Sequence, residues 1–454
     1  MYNDIRKFVK GMVAMAKRGD LYIKGGILVD PEKDQMYSGN LLIREGKIRR
    51  ICSASEEGPA EVPVLMADGL MIAPGLADTH VHFRDPGFLY KEDINTGAAA
   101  AKKGGFTQIV LMANTSPCVD TKEVLSYVLE KGEKTGIHIR SCANVSKQMK
   151  GKELTDMEEL AAAGAAGFTD DGIPLLNPKL VREAMMRAKR LNKPISFHEE
   201  DPKLITNNGI HAGEASRYYG IGGSPREAEY TLVERDLGLA EETGADIVIQ
   251  HISTKEAVEL VRQAREKGIS VHAEATPHHF TLTQQAAIEK GTMAKMNPPL
   301  REEEDRLAII EGLADGTIEL IATDHAPHSR QEKEQAITAA PSGIIGLETA
   351  LSLGIRELVE KGFLTLPRLI HRMSTAPCKL YGLEGGMLKE GVPADLVLFD
   401  PKEHWIVREF ASKACNSPFL GEEMPGVVHA TICGGEIVYK IKNCCNRSGV
   451  LTRI

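Results

Sequence analysis

Residues Asp78-Thr79-His80-Val81-His82-Phe83-Arg84 carry two imidazoles and a guanidinium at a spacing of two. They follow an apolar run, Leu70 to Ala77, that reads as a buried strand. Residues two apart on a strand share a face, so His80, His82 and Arg84 project together. Paired imidazoles can grip a metal ion, and a guanidinium beside them can hold an anion through two parallel hydrogen bonds. A bare His-x-His is more often a strand with unrelated polar residues, so its meaning depends on the rest of the chain.

The elements that would position such a site repeat along the sequence. Strand-like runs at 71–81, 108–112, 138–143, 166–169, 195–198, 246–251, 269–275 and 318–323 alternate with helical ones, for example 157–163, 178–191, 228–243 and 255–267. Eight strands alternating with helices predict an α/β fold, a (β/α)8 TIM-type barrel. In such barrels the catalytic groups stand at the C-terminal ends of the strands.

The polar residues fall at those ends. The first strand ends in His80, His82 and Arg84, and the second runs into Asn114. The fourth ends in Thr169-Asp170-Asp171-Gly172, the fifth in His198-Glu199-Glu200, the sixth in His251, and the eighth in Asp324-His325-Ala326-Pro327-His328. Asn297 lies between strands seven and eight. Each alone has a plainer reading as a core histidine, a turn or a helix cap. Four histidines and two carboxylates converging on one rim are hard to satisfy without a cation. Imidazole and carboxylate without thiolate suit zinc, with manganese or another divalent ion as the alternative. Six protein ligands exceed what one open zinc takes, and two ions bridged by a carboxylate would use them better. A water between two such ions would be acidic enough to supply hydroxide near neutral pH, which describes a hydrolase. Arg84 and Asn114 beside the metals suggest a small substrate with a carboxylate and amide-like groups.

The flanks differ. Short β-like runs at 21–29, 41–43 and 47–51, and again at 394–399 and 427–439, predict a small β-domain built from both chain ends. The expected organisation is an accessory helix over 1–20, with Ile5, Phe8, Val9, Met12 and Val13 on one face, the composite β-domain over 21–70 plus 385–440, the catalytic barrel over 71–384 and a tail over 441–454. A net charge of −8 with interspersed signs argues against a nucleic-acid partner, and no apolar run is long enough for a membrane span. The first twenty residues lack a signal-peptide layout. The eight cysteines form no C-x-x-C pair, so they read as thiols of a reducing cytoplasm with structural rather than metal-ligating roles. The polar segment 329–340 reads as a mobile loop able to close over substrate.

With these residues assembled, the chain resembles the amidohydrolase superfamily and, more narrowly, the class I dihydroorotases, over about residues 21–439. The matching motifs are His80-Val81-His82-Phe83-Arg84-Asp85-Pro86-Gly87, Phe168-Thr169-Asp170-Asp171-Gly172, His251-Ile252-Ser253-Thr254-Lys255, Lys295-Met296-Asn297-Pro298-Pro299-Leu300 and Ala322-Thr323-Asp324-His325-Ala326-Pro327-His328. The resemblance implies two zinc ions per subunit. His80, His82 and Asp324 would hold one, His198 and His251 the other, and Asp171 would bridge them. It implies reversible ring closure of N-carbamoyl-L-aspartate to L-dihydroorotate in pyrimidine biosynthesis, with Asp324 as general base and then acid. Arg84, Asn114 and His328 would bind the substrate carboxylate and ring, with Asn297 and the Ser342-Gly343 backbone closing the pocket. An Asp-type bridge replaces the carboxylated lysine of many relatives, Met112-Ala113-Asn114 lacks a common proline, and Ser342 stands where a larger apolar residue is frequent. Further expectations are a homodimer, a cytoplasmic location and compatibility with aspartate transcarbamoylase association. Competing readings are an allantoinase or dihydropyrimidinase, which Arg84 disfavours, and an inactive scaffold partner of aspartate transcarbamoylase, which the full ligand set disfavours.

Overall fold

The computed structural model describes residues 19–441. The helix expected over 1–20 and the tail over 441–454 lie, apart from Gly19, Asp20 and Ile441, outside the described residues. Five strands come first: β1 (Leu21–Asp30), β2 (Gln35–Arg44), β3 (Lys47–Ser53), β4 (Val64–Met66) and β5 (Met71–Pro74). Eight more follow, each short and all but β8 fully or largely buried: β6 (Leu76–Val81), β7 (Phe106–Leu111), β8 (His138–Ser141), β9 (Phe168–Thr169), β10 (Ile195–Phe197), β11 (Ile247–Ile249), β12 (Val271–Ala275) and β13 (Leu320–Ile321). Last come β14 (Leu396–Ile406), β15 (Glu423–Cys433) and β16 (Glu436–Lys440).

β6 to β13 are the barrel. β6, β7 and β8 form one parallel sheet and β9 to β13 another. Parallel bridges between Ala143 and Phe168 and between Val81 and His325 join the two sheets into a ring. At the second seam His82 N–H donates to the carbonyl of His325 (2.9 Å), and the buried Asp78 carboxylate accepts from the backbone of Thr323 (3.2 Å) and His80 (3.0 Å). The first strand and the last segment are thus tied together directly beneath the site residues.

Helices wrap the ring, and their sequences show why. The helix Pro178–Arg190 buries Leu180, Val181, Ala184, Met185 and Ala188, a single stripe at helical spacing. Asn177 caps it by accepting from Lys179 N–H, with proline in the first turn. Lys255–Glu266 is built the same way, capped by Thr254 on Ala257 N–H. Among the described residues no helix is long and apolar enough to cross a membrane.

The second layer is an eight-stranded sheet drawn from both chain ends, in the order β16-β15-β14-β5-β1-β2-β3 with β4 on β1. β2 returns into β3 through Glu45 and Gly46, both at positive φ (53° and 75°), the backbone that a two-residue hairpin turn demands. Its own apolar core packs Ile23, Leu28, Ile43, Ile72, Leu398 and Ile432.

The run 71–81, read as one barrel strand, is two. β5 pairs with β1 and β14 in the composite sheet, whereas β6 enters the barrel. The division falls at Gly75, whose N–H donates to Asp395 O (2.8 Å) and whose carbonyl accepts from Ser374 Oγ (2.6 Å). A Cβ there would stand 2.2 Å from Thr107 Oγ1 and 2.5 Å from its methyl carbon. Gly75→Val is therefore expected to lower unfolding free energy by about 1–3 kcal/mol through overpacking. Urea unfolding checks it, and an unchanged midpoint would show that the junction yields without cost.

Candidate metal centre

Every carboxylate and imidazole expected at the metals stands at the C-terminal rim of a barrel strand. His80 is the penultimate residue of β6 and His82 follows its end; Asp171, His198, His251 and Asp324 lie one to three residues past β9, β10, β11 and β13. All six are buried. Asp171 is central: its Oδ1 lies 3.3 Å from His80 Nε2, 3.6 Å from His251 Nε2 and 3.8 Å from His198 Nδ1, and its Oδ2 lies 3.4 Å from His82 Nε2. Asp324 Oδ1 sits 3.0 Å from His82 Nε2 and 3.7 Å from His80 Nε2. His198 Nδ1 and His251 Nε2 are 2.9 Å apart. Two groups close enough to share an ion result, His80-His82-Asp324 and His80-Asp171-His251.

Asp170, the other acid of its pair, points away. Its carboxylate accepts from the backbone N–H of Val145 (2.9 Å), from Asn144 Nδ2 (3.2 Å) and from the Ser146 hydroxyl. Asp170 holds a loop, and Asp171 faces the rim.

The backbone at the rim is strained where the chain must turn a side chain inward. Arg84, His251 and Asp324 have φ of 57°, 32° and 47°. Non-glycine residues seldom take such values, and they persist only where the surroundings over-determine them.

Electrostatics follow from burial. Desolvation alone would raise the Asp324 carboxyl, but the His82 hydrogen bond and the His80, His82 and His251 imidazoles outweigh it and hold it below the usual carboxylate range. Asp171 is likewise driven well down against its own burial by His80 and His251. The acids are thus held as anions among rings, and His80 Nε2, buried between them, has no hydrogen-bond partner. Imidazole and carboxylate atoms facing one another across 3–4 Å, with an orphaned nitrogen among them, fit a divalent cation.

Three of the four rings are oriented from behind, a feature the sequence reading missed, whereas His251 Nδ1 is buried without a partner. His80 Nδ1 is bonded to Glu274, a buried acid on β12. His82 Nδ1 donates to Asn114 Oδ1 (2.9 Å), and Asn114 Nδ2 donates to Asp171 Oδ2 (3.2 Å). His198 Nε2 lies 3.4 Å from Glu200 Oε2 and 3.1 Å from Asn297 Nδ2. Such partners fix tautomer and ring angle. The amide of Asn114, expected on substrate, is thus engaged with two ligands here. His278, also unforeseen, is buried, its Nε2 unpartnered, and burial lowers it to about 4 despite nearby Asp324. The alternation in His-Ala-Glu-Ala, residues 272–275, was the available signal for Glu274, since an acid inside a barrel strand needs a partner.

On the open side, Arg84 is half-buried with its Nε donating to Pro327 O (3.3 Å). His328 is neutral, pushed down to about 2 by burial and the charges of Arg84 and Lys91. It therefore donates from Nε2 to Ser342 O (2.8 Å) and accepts at Nδ1 from Lys91 Nζ (3.3 Å). Ser342 Oγ donates to Asn208 Oδ1 (2.8 Å), and Gly343 N–H donates to Lys295 O (2.9 Å). The segment 329–340 is not a plain loop. Ser329 caps a helical turn, Arg330–Lys333, and the buried Lys333 Nζ donates to Pro341 O (2.9 Å) and Gly343 O (3.0 Å).

A profile of dihydro-orotase-like proteins matches residues 69–257. The dihydroorotase of Clostridioides difficile (strain 630) is 52% identical over 419 residues, 92% of this chain and 99% of that protein. The dihydroorotase of Lactococcus lactis subsp. lactis (strain IL1403) is 48% identical over 423 residues, 93% of this chain and 100% of that protein. Among solved structures, L-hydantoinase (dihydropyrimidinase) from Arthrobacter aurescens matches with a TM-score of 0.82 at 26% identity, covering 93% of this chain and 96% of that one. The dihydropyrimidinase from Brevibacillus agri NCHU1002 gives 0.81 at 25% identity, covering 93% and 95%.

Glu274→Gln keeps the size of the group behind His80 but removes its charge. It is expected to weaken metal binding by about 10- to 100-fold. Competition against a chelator with metal-sensitive absorbance reads this directly, and unaltered affinity would remove Glu274 from the support of the site.

Proposed function

This chain belongs to the dihydroorotase family, and on that premise we propose that its rim opens and closes the ring linking L-dihydroorotate and N-carbamoyl-L-aspartate. The protein is a metal-dependent cyclic-amide hydrolase of pyrimidine metabolism. In the proposed site His80, His82 and Asp324 would hold one zinc ion and His198 and His251 a second, with Asp171 as the ligand they would share. The observation that carries the reading is the placement of Asp171, whose two oxygens face different imidazoles, Oδ2 towards His82 and Oδ1 towards His251 and His198.

When bound, the two ions supply an acidified water and draw electron density from the scissile carbonyl. Asp324, held as an anion beside His82, accepts the proton of the attacking water and delivers it to the departing ring nitrogen. In ring closure it takes the proton from the carbamoyl nitrogen and returns it to the oxygen that leaves. Arg84 receives the substrate carboxylate, and its charge near the rim distinguishes this substrate from uncharged cyclic amides. His328, neutral and pinned by Ser342 and Lys91, shapes the pocket wall with Asn297 and the Ser342-Gly343 backbone. Asn114 keeps His82 and Asp171 in register beneath the substrate. The reading carries with it a cytoplasmic homodimer able to associate with aspartate transcarbamoylase.

The test is turnover of L-dihydroorotate by purified, zinc-loaded protein, with allantoin and dihydrouracil in parallel. Dihydroorotate is expected to be the selective substrate, and preference for either of the others would overturn the reading. Asp324→Ala is expected to lower kcat about 100- to 10,000-fold. Arg84→Met is expected to raise KM for dihydroorotate about 10- to 100-fold, the loss of one charge-assisted contact, with bound metal unchanged.

A further inference from the structure

At the end of the barrel opposite the rim, three side chains of different ligand type converge where the barrel meets the composite sheet. His138 opens β8, Asp395 immediately precedes β14 and Cys433 ends β15. One ligand atom from each lies within 4.8 Å of the others. Asp395 and Cys433 are buried, whereas the His138 ring is partly open to solvent. His138 Nε2 is itself buried and stands 3.0 Å from Asp395 Oδ2, yet it makes no hydrogen bond of acceptable geometry. A buried nitrogen left in that state beside a carboxylate and a thiol is costly unless a further partner enters.

We propose that His138, Asp395 and Cys433 form a second metal site, separate from the catalytic rim, for a thiophilic divalent transition metal such as zinc or cobalt. Sulfur, imidazole nitrogen and carboxylate oxygen together are a donor set that such ions prefer and that magnesium or calcium does not. Bond lengths of about 2.0–2.3 Å put tetrahedral ligands roughly 3.3–3.8 Å apart, so movements of about 1 Å complete the sphere. Water fills the fourth position from the exposed side of His138. The carboxylate is already aimed: Gly434 N–H donates to Asp395 Oδ1 (2.7 Å) and Gln108 Nε2 to Oδ2 (3.3 Å). These contacts orient a ligand in the way that supporting groups do around known metal sites.

On binding, the Cys433 Sγ–H bond breaks, an Sγ–metal bond forms and the proton leaves to solvent, with no change of oxidation state. Without metal, burial and the neighbouring Asp395 keep that thiol protonated. The consequence is mechanical, because the ion would clamp barrel strand β8 to the two ends of the C-terminal sheet strands, next to the Gly75 junction that Asp395 O also holds. Absence of a C-x-x-C pair gave no hint of this, because the partners of Cys433 come from distant points of the chain.

Cobalt(II) titration of the full-length, reduced protein tests the proposal. The catalytic ligands are nitrogen and oxygen only, so a thiolate-to-cobalt charge-transfer band in the near ultraviolet reports a sulfur ligand alone. The expected result is about one further cobalt per chain, with that band, beyond those taken by the rim. Both are lost in Cys433→Ser and weakened in His138→Gln, while dihydroorotate turnover of Cys433→Ser stays at the parent value. Cys118, Cys415, Cys444 and Cys445 are the competing thiols, and replacing all four with serine is expected to leave the band in place. No band in the parent protein, or a band that survives Cys433→Ser, overturns the site. Loss of activity in Asp324→Ala bears on the rim alone, so failure of either reading is distinguishable from failure of the other.

Discussion

Asp171 and Asp324 are carboxylates removed from water and set among four imidazoles, and the surrounding structure exists to keep them so. An isolated buried anion would neutralise by taking up a proton. Here the rings of His80, His82 and His251 hold both acids ionised against the pull of burial. That arrangement is tolerable because a cation can complete it, and it is useful because an ionised Asp324 can take a proton. A barrel rim suits this purpose: side chains from separate strands converge there without any one strand having to supply a cluster.

Holding six buried polar side chains together at one rim requires rigid support, and the support is distributed around the ring. Glu274 behind His80, Asn114 behind His82 and Glu200 beside His198 each reach the site from a different strand end. Asp78 ties the first strand to the last just below. The positive φ values of Arg84, His251 and Asp324 are sustained by this frame. The opposite end of the barrel carries structural tasks instead, with Gly75 as the crossing point between sheet and barrel.

The same frame serves more than one cyclic amide. Hydantoinases and dihydropyrimidinases superpose on nearly the whole chain at about a quarter identity, whereas dihydroorotases share about half their residues with it. Fold alone therefore does not choose the substrate. The choice must rest on side chains at the open edge of the rim, where Arg84 and Lys91 bring positive charge beside His328. The turn Arg330–Lys333 is tied to the segment that follows it, since its buried lysine bonds the carbonyls of Pro341 and Gly343.

Much of this was legible in the chain itself. Short apolar runs alternating with helical stripes pointed to the barrel, because strands covered on both faces are apolar throughout. The strand-end positions of His80, His82, Asp171, His198, His251 and Asp324 placed these side chains together, since one barrel rim gathers every strand end. What the sequence could not decide depended on neighbours distant along the chain. The division of 71–81 at Gly75 arose from competition between two sheets for one extended run. The role of Glu274 required knowing that barrel closure brings β12 within reach of β6, with only β13 between them. The convergence of His138, Asp395 and Cys433 required the docking of the C-terminal strands β14 and β15 against barrel strand β8. Local periodicity records which face a residue presents; only tertiary packing decides what that face meets.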